Sequence, residues 1–441
     1  MKIILSAIFV LFISVLTSIS QVQNSNPPES EKKEVEKIKD EIINLNLLKI
    51  SGYLQPQFQW GQQSANLRVG TNNVDPNNVG LEKPYNRIGI RRGRLKLTYN
   101  EAGLAAGTFH LNIIDRPGLR GATVQLKEAY FTLKDPFIQA HALRAGVFDR
   151  PFGNEVNYSS SQIESPERSR IINTLFPEES DLGAILILNA PANSFFNFLK
   201  FEGGLFAGNA INPDSDNRKD FIGRLMATKP LGSSANWGLS ASYYNGGVYQ
   251  TNSVVYTMLG NQFSKNQSSS NIGAYAKREY FGFDGQFSIE TALGITQLRA
   301  EYIWGNQPGN ELSSNSPNRA SLPNPEDTYI RPFNGGYGIL IQDIGFSPFS
   351  AVLKYEFYDP NTAVHSNDLG LAGSYTSATD VKYSTLGIGC LWKINSYIRL
   401  QAYYEFVQNE TSTNLSNASV LSDYSKDMKD NMLTVRMQYR F

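Results

Sequence analysis

Arg92, Arg94 and Lys96 stand at every second position of the segment Arg87-Ile-Gly-Ile-Arg-Arg-Gly-Arg-Leu-Lys96. On an extended strand that spacing sends all three side chains to one face, with Leu95, Leu97 and Tyr99 on the other. Stacked guanidinium and ammonium groups do no covalent chemistry. They donate charge-assisted hydrogen bonds to carboxylate or phosphate oxygens, which is the chemistry of holding or passing an anion. Each of them also pairs well with a carboxylate of its own protein, so a bracing role and a solute-binding role both stay open. Arg91 is out of phase with the set, and the alternation of Ile88 and Ile90 changes there too, as at a bulge or an outer rim. A second group of cations, Arg150, Arg168 and Arg170, lies in the stretch 149–182 among Asp149, Glu155, Glu164, Glu167, Glu178, Glu179 and Asp181, so that stretch is net acidic.

Other chemistry finds little material. His110, His141 and His365 sit in different segments and Cys390 is alone. No histidine stands beside a nucleophile in a recognisable Ser/His/Asp pattern, and no His or Cys cluster has metal spacing. The acidic stretch has at most the makings of a weak Ca²⁺ site. Neither catalysis nor a cofactor is expected, and 40 basic against 40 acidic residues offer no footprint for nucleic acid.

The elements that must position the cations are strands. Residues 1–20 read as a secretory signal, with Lys2, an apolar run from Ile3 to Leu16, and small residues at Ser18 and Ser20. Residues 21–48 form a polar linker followed by a short amphipathic segment in which Val35, Ile38, Ile42 and Leu45 keep a helical period. Beyond that, no stretch approaches the roughly 20 apolar residues of a membrane helix. Instead, residues 49–441 alternate. In Leu433-Thr-Val-Arg-Met-Gln-Tyr-Arg-Phe441 the odd positions are apolar and the even ones polar. An arginine at the membrane midplane on the lipid side costs about 2–4 kcal/mol, which assigns Arg436 and Arg440 to a wet interior. The mean hydropathy of −0.32 agrees, because wet and oily faces average out.

Strands are expected at about 48–60, 86–100, 103–114, 122–134, 138–148, 183–190, 196–208 and 219–229, then at about 236–245, 271–288, 295–305, 335–343, 349–358, 381–393, 397–408 and 431–441. Tight connections, such as Lys134-Asp-Pro-Phe137 and Lys393-Ile-Asn-Ser396, follow even strands. Long polar ones, such as 61–85, 149–182, 246–270 and 409–430, follow odd strands. That parity predicts an all-β, 16-stranded antiparallel transmembrane barrel with both termini in the periplasm. Tyr243-Tyr244, Tyr302 with Trp304, Phe357-Tyr358 and Tyr403-Tyr404 suit rings at the headgroup level.

From about Ile50 to Phe441 the chain resembles the phosphate-selective porins O and P. The likeness is carried by Ser51-Gly-Tyr-Leu-Gln-Pro-Gln-Phe-Gln-Trp60, the basic strand around Arg92, Arg144-Ala-Gly-Val-Phe-Asp-Arg-Pro-Phe-Gly153, Ser165-Pro-Glu-Arg-Ser169, Asp181-Leu-Gly183 and Arg299-Ala-Glu-Tyr-Ile-Trp-Gly305, in that order. The resemblance implies a homotrimeric pore in the outer membrane of a Gram-negative bacterium, with a third loop folded inward and basic residues along an anion path. On that reading the partners are outer-membrane lipids, small ions or anionic solutes, and the barrel-assembly machinery through Phe441. Where the acidic third loop faces the basic wall, a transverse field of the general-porin kind is expected. A barrel that serves binding or adhesion through loops 246–270 and 409–430 is the alternative.

Overall fold

The computed structural model describes residues 47–70, 85–101, 103–115, 122–137, 140–315, 326–416 and 423–441. The expected signal at 1–20 and nearly all of the segment 21–48 lie outside them.

Strands run in antiparallel succession: β1 (Leu48–Gly61), β2 (Tyr85–Glu101), β3 (Ala105–Asp115), β4 (Ala122–Lys134), β5 (His141–Asp149), β6 (Ser180–Asn189), β7 (Leu199–Phe206), β8 (Asp220–Leu231) and β9 (Ala235–Tyr249). After a hairpin of β10 (Val254–Leu259) and β11 (Gln262–Gln267) come β12 (Tyr275–Thr291), β13 (Gly294–Gly309), β14 (Thr328–Asp343), β15 (Phe349–Asp359), β16 (Tyr383–Lys393), β17 (Ile398–Asn409) and β18 (Met432–Arg440). β9 pairs directly with β12, and β18 pairs with β1 in the register Tyr53↔Arg440 to Gly61↔Met432. The result is the closed 16-stranded barrel expected, in which closure removes every sheet edge. Phe441 completes the seam, exchanging two backbone hydrogen bonds of 3.0 Å with Gly52.

The closing strand obeys its alternation. Thr434, Arg436 and Gln438 are buried on the inside, and Met437 and Tyr439 are exposed outside. The same rule corrects the aromatic pairs. Adjacent strand residues point to opposite faces, so Tyr244, Tyr358 and Tyr403 turn inward and are buried. Only their neighbours, with Tyr302 and Trp304, are left for the outer surface.

Two regions differ from the expected pattern. β14 begins at Thr328, several residues before the expected 335, and the supposedly irregular stretch 246–270 contains the β10–β11 hairpin. Val254-Val255-Tyr256-Thr257 is rich in β-branched and aromatic residues, a strand signal hidden by the surrounding Ser and Asn. β10 lies parallel to the extension of β14, with Tyr256 stacked on Tyr329 at 4.3 Å.

The long connection from β5 to β6, loop 3, enters the barrel. It carries one short helix, α1 (Arg170–Leu175). Arg150–Val156 and Ile163–Ser169 are buried almost throughout.

Candidate functional site: loop 3 and the basic wall

Loop 3 is apolar on one side. Phe152, Val156, Ile171, Ile172, Leu175 and Phe176 form one cluster with inward-facing Tyr244, Tyr280, Ile303, Phe333 and Tyr358 of β9, β12, β13, β14 and β15. Phe176 lies edge-on to Tyr244 and Tyr280, at centroid distances of 6.3 and 6.0 Å. Burying each such side chain contributes about 1.5–3 kcal/mol. One side of the barrel interior is therefore dry, contrary to the uniformly polar lumen that strict alternation implies. The signal in the sequence was Phe152, Ile171-Ile172 and Leu175-Phe176, a density of large apolar residues with no use in a solvated loop.

Ion pairs pin the strap elsewhere. Glu167 receives Arg91 at 2.8 Å, Arg92 at 2.7 Å and Arg436 at 2.9 Å. Burial alone would raise the Glu167 pKa, but the three guanidiniums hold it well below the usual carboxylate range. The consecutive residues Arg91 and Arg92 thus reach one carboxylate, Arg91 from a half-buried position and Arg92 from a buried one. Glu155 is paired with Lys354 at 3.0 Å and Glu164 with Arg299. Glu179 takes Lys127 at 3.1 Å and Arg168, and it too is held well below its ordinary range, against the opposing effect of burial. Four of the five carboxylates between Arg150 and Glu179 thus sit in ion pairs. The acidic loop does not face the basic wall across an open gap; it is bonded to it.

Glu301 supports the entry of the strap. Its carboxylate accepts the backbone N–H groups of Asn154 and Glu155 at 3.1 and 3.0 Å. Gly153 makes that approach possible. It has φ +58°, and a methyl group there would overlap the Glu301 carboxylate.

The six cations singled out in the sequence are thereby distributed. Arg92 is bound to Glu167. Arg150 is buried and braces the strap through the Glu178 and Glu179 carbonyls, its guanidinium 4.9 Å from the Phe176 ring centre. Arg168 is bound to Glu179 and to the Glu155 carbonyl. Arg170 lies 3.8 Å over Tyr383, beside a separate cavity of about 300 Å³ near Tyr358 and Tyr424. Arg94 and Lys96 face a cavity of about 340 Å³ bounded by β1–β5, the chain end and loop-3 residues Ser159, Ser160 and Ser161. Arg168 forms part of its boundary as well.

Three more cations border that chamber, Lys127, Arg144 and Arg440. Its two carboxylates are already engaged, Glu128 with Lys96 and with His110 at 2.8 Å, and Asp149 with Lys127 at 2.8 Å. Among the described residues, Arg94, Arg144 and Arg440 have no carboxylate within 4.0 Å. Among the described residues Arg144 hydrogen-bonds only to the Thr132 hydroxyl, at 3.3 Å. It was missed in the sequence because it comes from β5, remote from the basic run. A second cavity of about 320 Å³, with Lys393 and Arg399, shares Ser161 and Arg440 with the first.

No family model matches the sequence, and no curated protein does either. Solved structures do match the fold. OprB of Pseudomonas putida, in its high-pH structure, is similar over 92% of this chain and 97% of its own, with a TM-score of 0.54 at 10% identity. The outer membrane channel DcaP of Acinetobacter baumannii covers 89% and 97%, with 0.52 at 11%. Salmonella typhi OmpF in complex with daunomycin covers 89% and 97%, with 0.50 at 12%. At such identities the likeness is one of fold, the fold of outer-membrane porins.

Proposed function

We propose that this barrel is a passive diffusion porin of a Gram-negative outer membrane, biased toward anions, with its strands spanning the bilayer and its short turns in the periplasm. The observation that carries the anion bias is the charge left over after the loop-3 carboxylates are paired. Of the cations that border the chamber beside loop 3, Lys96, Lys127 and Arg168 are paired with Glu128, Asp149 and Glu179, whereas Arg94, Arg144 and Arg440 have no carboxylate within 4.0 Å among the described residues. A constriction with that surplus lowers the energy of a passing anion and raises that of a cation. The likeness to the phosphate-selective porins O and P supports a trimer and an anionic solute, and a passive pore needs no catalytic group. Reversal potentials of the refolded protein in a salt gradient test the reading. Anion-biased potentials that fall toward zero in an Arg94→Gln/Lys96→Gln/Arg144→Gln variant support it. An unbiased channel overturns the anion preference, and a folded barrel without conductance overturns the porin.

A further inference from the structure

We infer that the chamber between loop 3 and β1–β5 is a binding site for an organic anion with a flat apolar body, such as an aromatic carboxylate, in preference to a compact inorganic oxyanion. The inference deepens the anion-porin reading and rests on it.

Size is the first argument. A cavity of about 340 Å³ falls in the range of sites that enclose small organic molecules.

The setting of the guanidiniums is the second. Arg144 lies 4.9 Å from the ring centre of Tyr130 and 5.6 Å from that of Phe148, and Arg94 lies 5.8 Å from that of Tyr53. Rings at those distances offer a guanidinium no hydrogen-bond acceptor in their planes, so its N–H groups remain for another partner, and a carboxylate is the partner whose two oxygens match the planar fork. Neither arginine spends that fork on a carboxylate of the protein, as described above. Arg94 has only long contacts of 3.4 Å to Asn112 and Ser160.

Composition of the wall is the third. Tyr53, Tyr130, Phe148 and Phe441 border the same space as the cations. Flat aromatic surface beside bidentate donors suits a ligand that is apolar at one end and charged at the other. A small hydrated anion gains little from the rings, and a neutral aromatic lacks the charge-assisted bidentate pairing with the guanidiniums.

The test is current block by the full-length refolded protein in a planar bilayer, with benzoate, acetate, inorganic phosphate and neutral benzamide as probes. Benzoate is expected to block at a concentration at least about tenfold below acetate or phosphate, the equivalent of about 1.4 kcal/mol, and benzamide is expected not to block. Arg144→Gln should weaken the benzoate block about tenfold. Arg144→Lys, which keeps the charge but loses the planar bidentate edge, should not restore it. Equal block by benzoate and acetate overturns the organic-anion site while an anion-biased reversal potential leaves the porin reading standing. Block by benzamide as strong as by benzoate also overturns it, since the guanidiniums would then play no part. Full block in Arg144→Lys would reduce the site to bare charge and refute the role of the planar edge.

Discussion

Replacing Glu167 by glutamine preserves the shape of the side chain and removes its charge. Three guanidiniums against one carboxylate, a local charge of +2, become +3 around a neutral amide. Arg92 and Arg436 are nearly inaccessible to solvent, so the loss is felt in full. Removing one partner of a buried ion pair costs about 3–5 kcal/mol. Loop 3 has other anchors, Glu155 on Lys354, Glu164 on Arg299 and the cluster around Phe152 and Phe176. The segment around Pro166 and Glu167 should therefore lift from the wall while the barrel and both ends of the strap stay in place. An added charge acts on a passing anion with about 0.4 kcal/mol at about 10 Å in water, and with about 2 kcal/mol at about 8 Å in an effective dielectric of about 20. The lower figure alone favours an anion about twofold and disfavours a cation about twofold, so it raises the anion-to-cation permeability ratio about fourfold. Single-channel recording of Glu167→Gln should show a larger conductance and a more anionic reversal potential. A folded variant with unchanged conductance and unchanged selectivity would refute the claim that this contact sets the constriction.

Acid provides a related check. Glu167 and Glu179 are held below their ordinary range, so the stability they supply is present above the unfolded-state value of about 4.3 and is lost only as pH falls through their depressed folded values. The loop-3 contacts through Glu167 and Glu179 should hence survive lowering of the pH from 7 to 5, and a loop-release step recorded as a rise in conductance should fall below about pH 4. Phe176→Ala should cost about 3–5 kcal/mol, read as a lower thermal midpoint of the detergent-folded barrel together with faster proteolysis within loop 3. Gly153→Ala should displace the strap from Glu301 and cost about 1–3 kcal/mol, seen in the same melting assay; an unchanged midpoint would mean that the entry of the loop bears no strain.

The barrel was legible because period-two alternation, turn length and the parity of long and short connections all report on one architecture. Arg436 at an inward position of the last strand follows from sequence alone, and so does the basic character of the strand around Arg91 and Arg92. The partners of those residues do not. Glu167 lies 269 residues from Arg436, and nothing local in Ser165-Pro-Glu-Arg-Ser169 says that its carboxylate will meet three arginines from two strands. Arg144 stands alone among apolar neighbours on β5, so no run of basic residues advertises it. The inward turn of Tyr244, Tyr358 and Tyr403 was hidden for another reason: a barrel interior packed by a loop has a dry side as well as a wet one, and an aromatic at a strand end fits either face until its phase is counted.

That division of the interior is how a net-acidic loop is compatible with the anion bias proposed above. Apolar residues of loop 3 take the strap toward β9–β15, and there the carboxylate of Glu301 meets backbone N–H groups rather than a permeating ion. Its own carboxylates are consumed by Lys354, Arg299, Lys127 and the Arg91/Arg92/Arg436 trio. What the loop leaves open is the chamber bordered by β1–β5, where Arg94 and Arg144 have no carboxylate partner among the described residues. The loop's acidity neutralises the wall where the two touch and leaves it basic where they part. Selectivity then depends on where the strap lies more than on the summed charge of the chain, which is why a single change at Glu167 should move conductance and ion preference together, whereas a change at Arg144 should move preference alone.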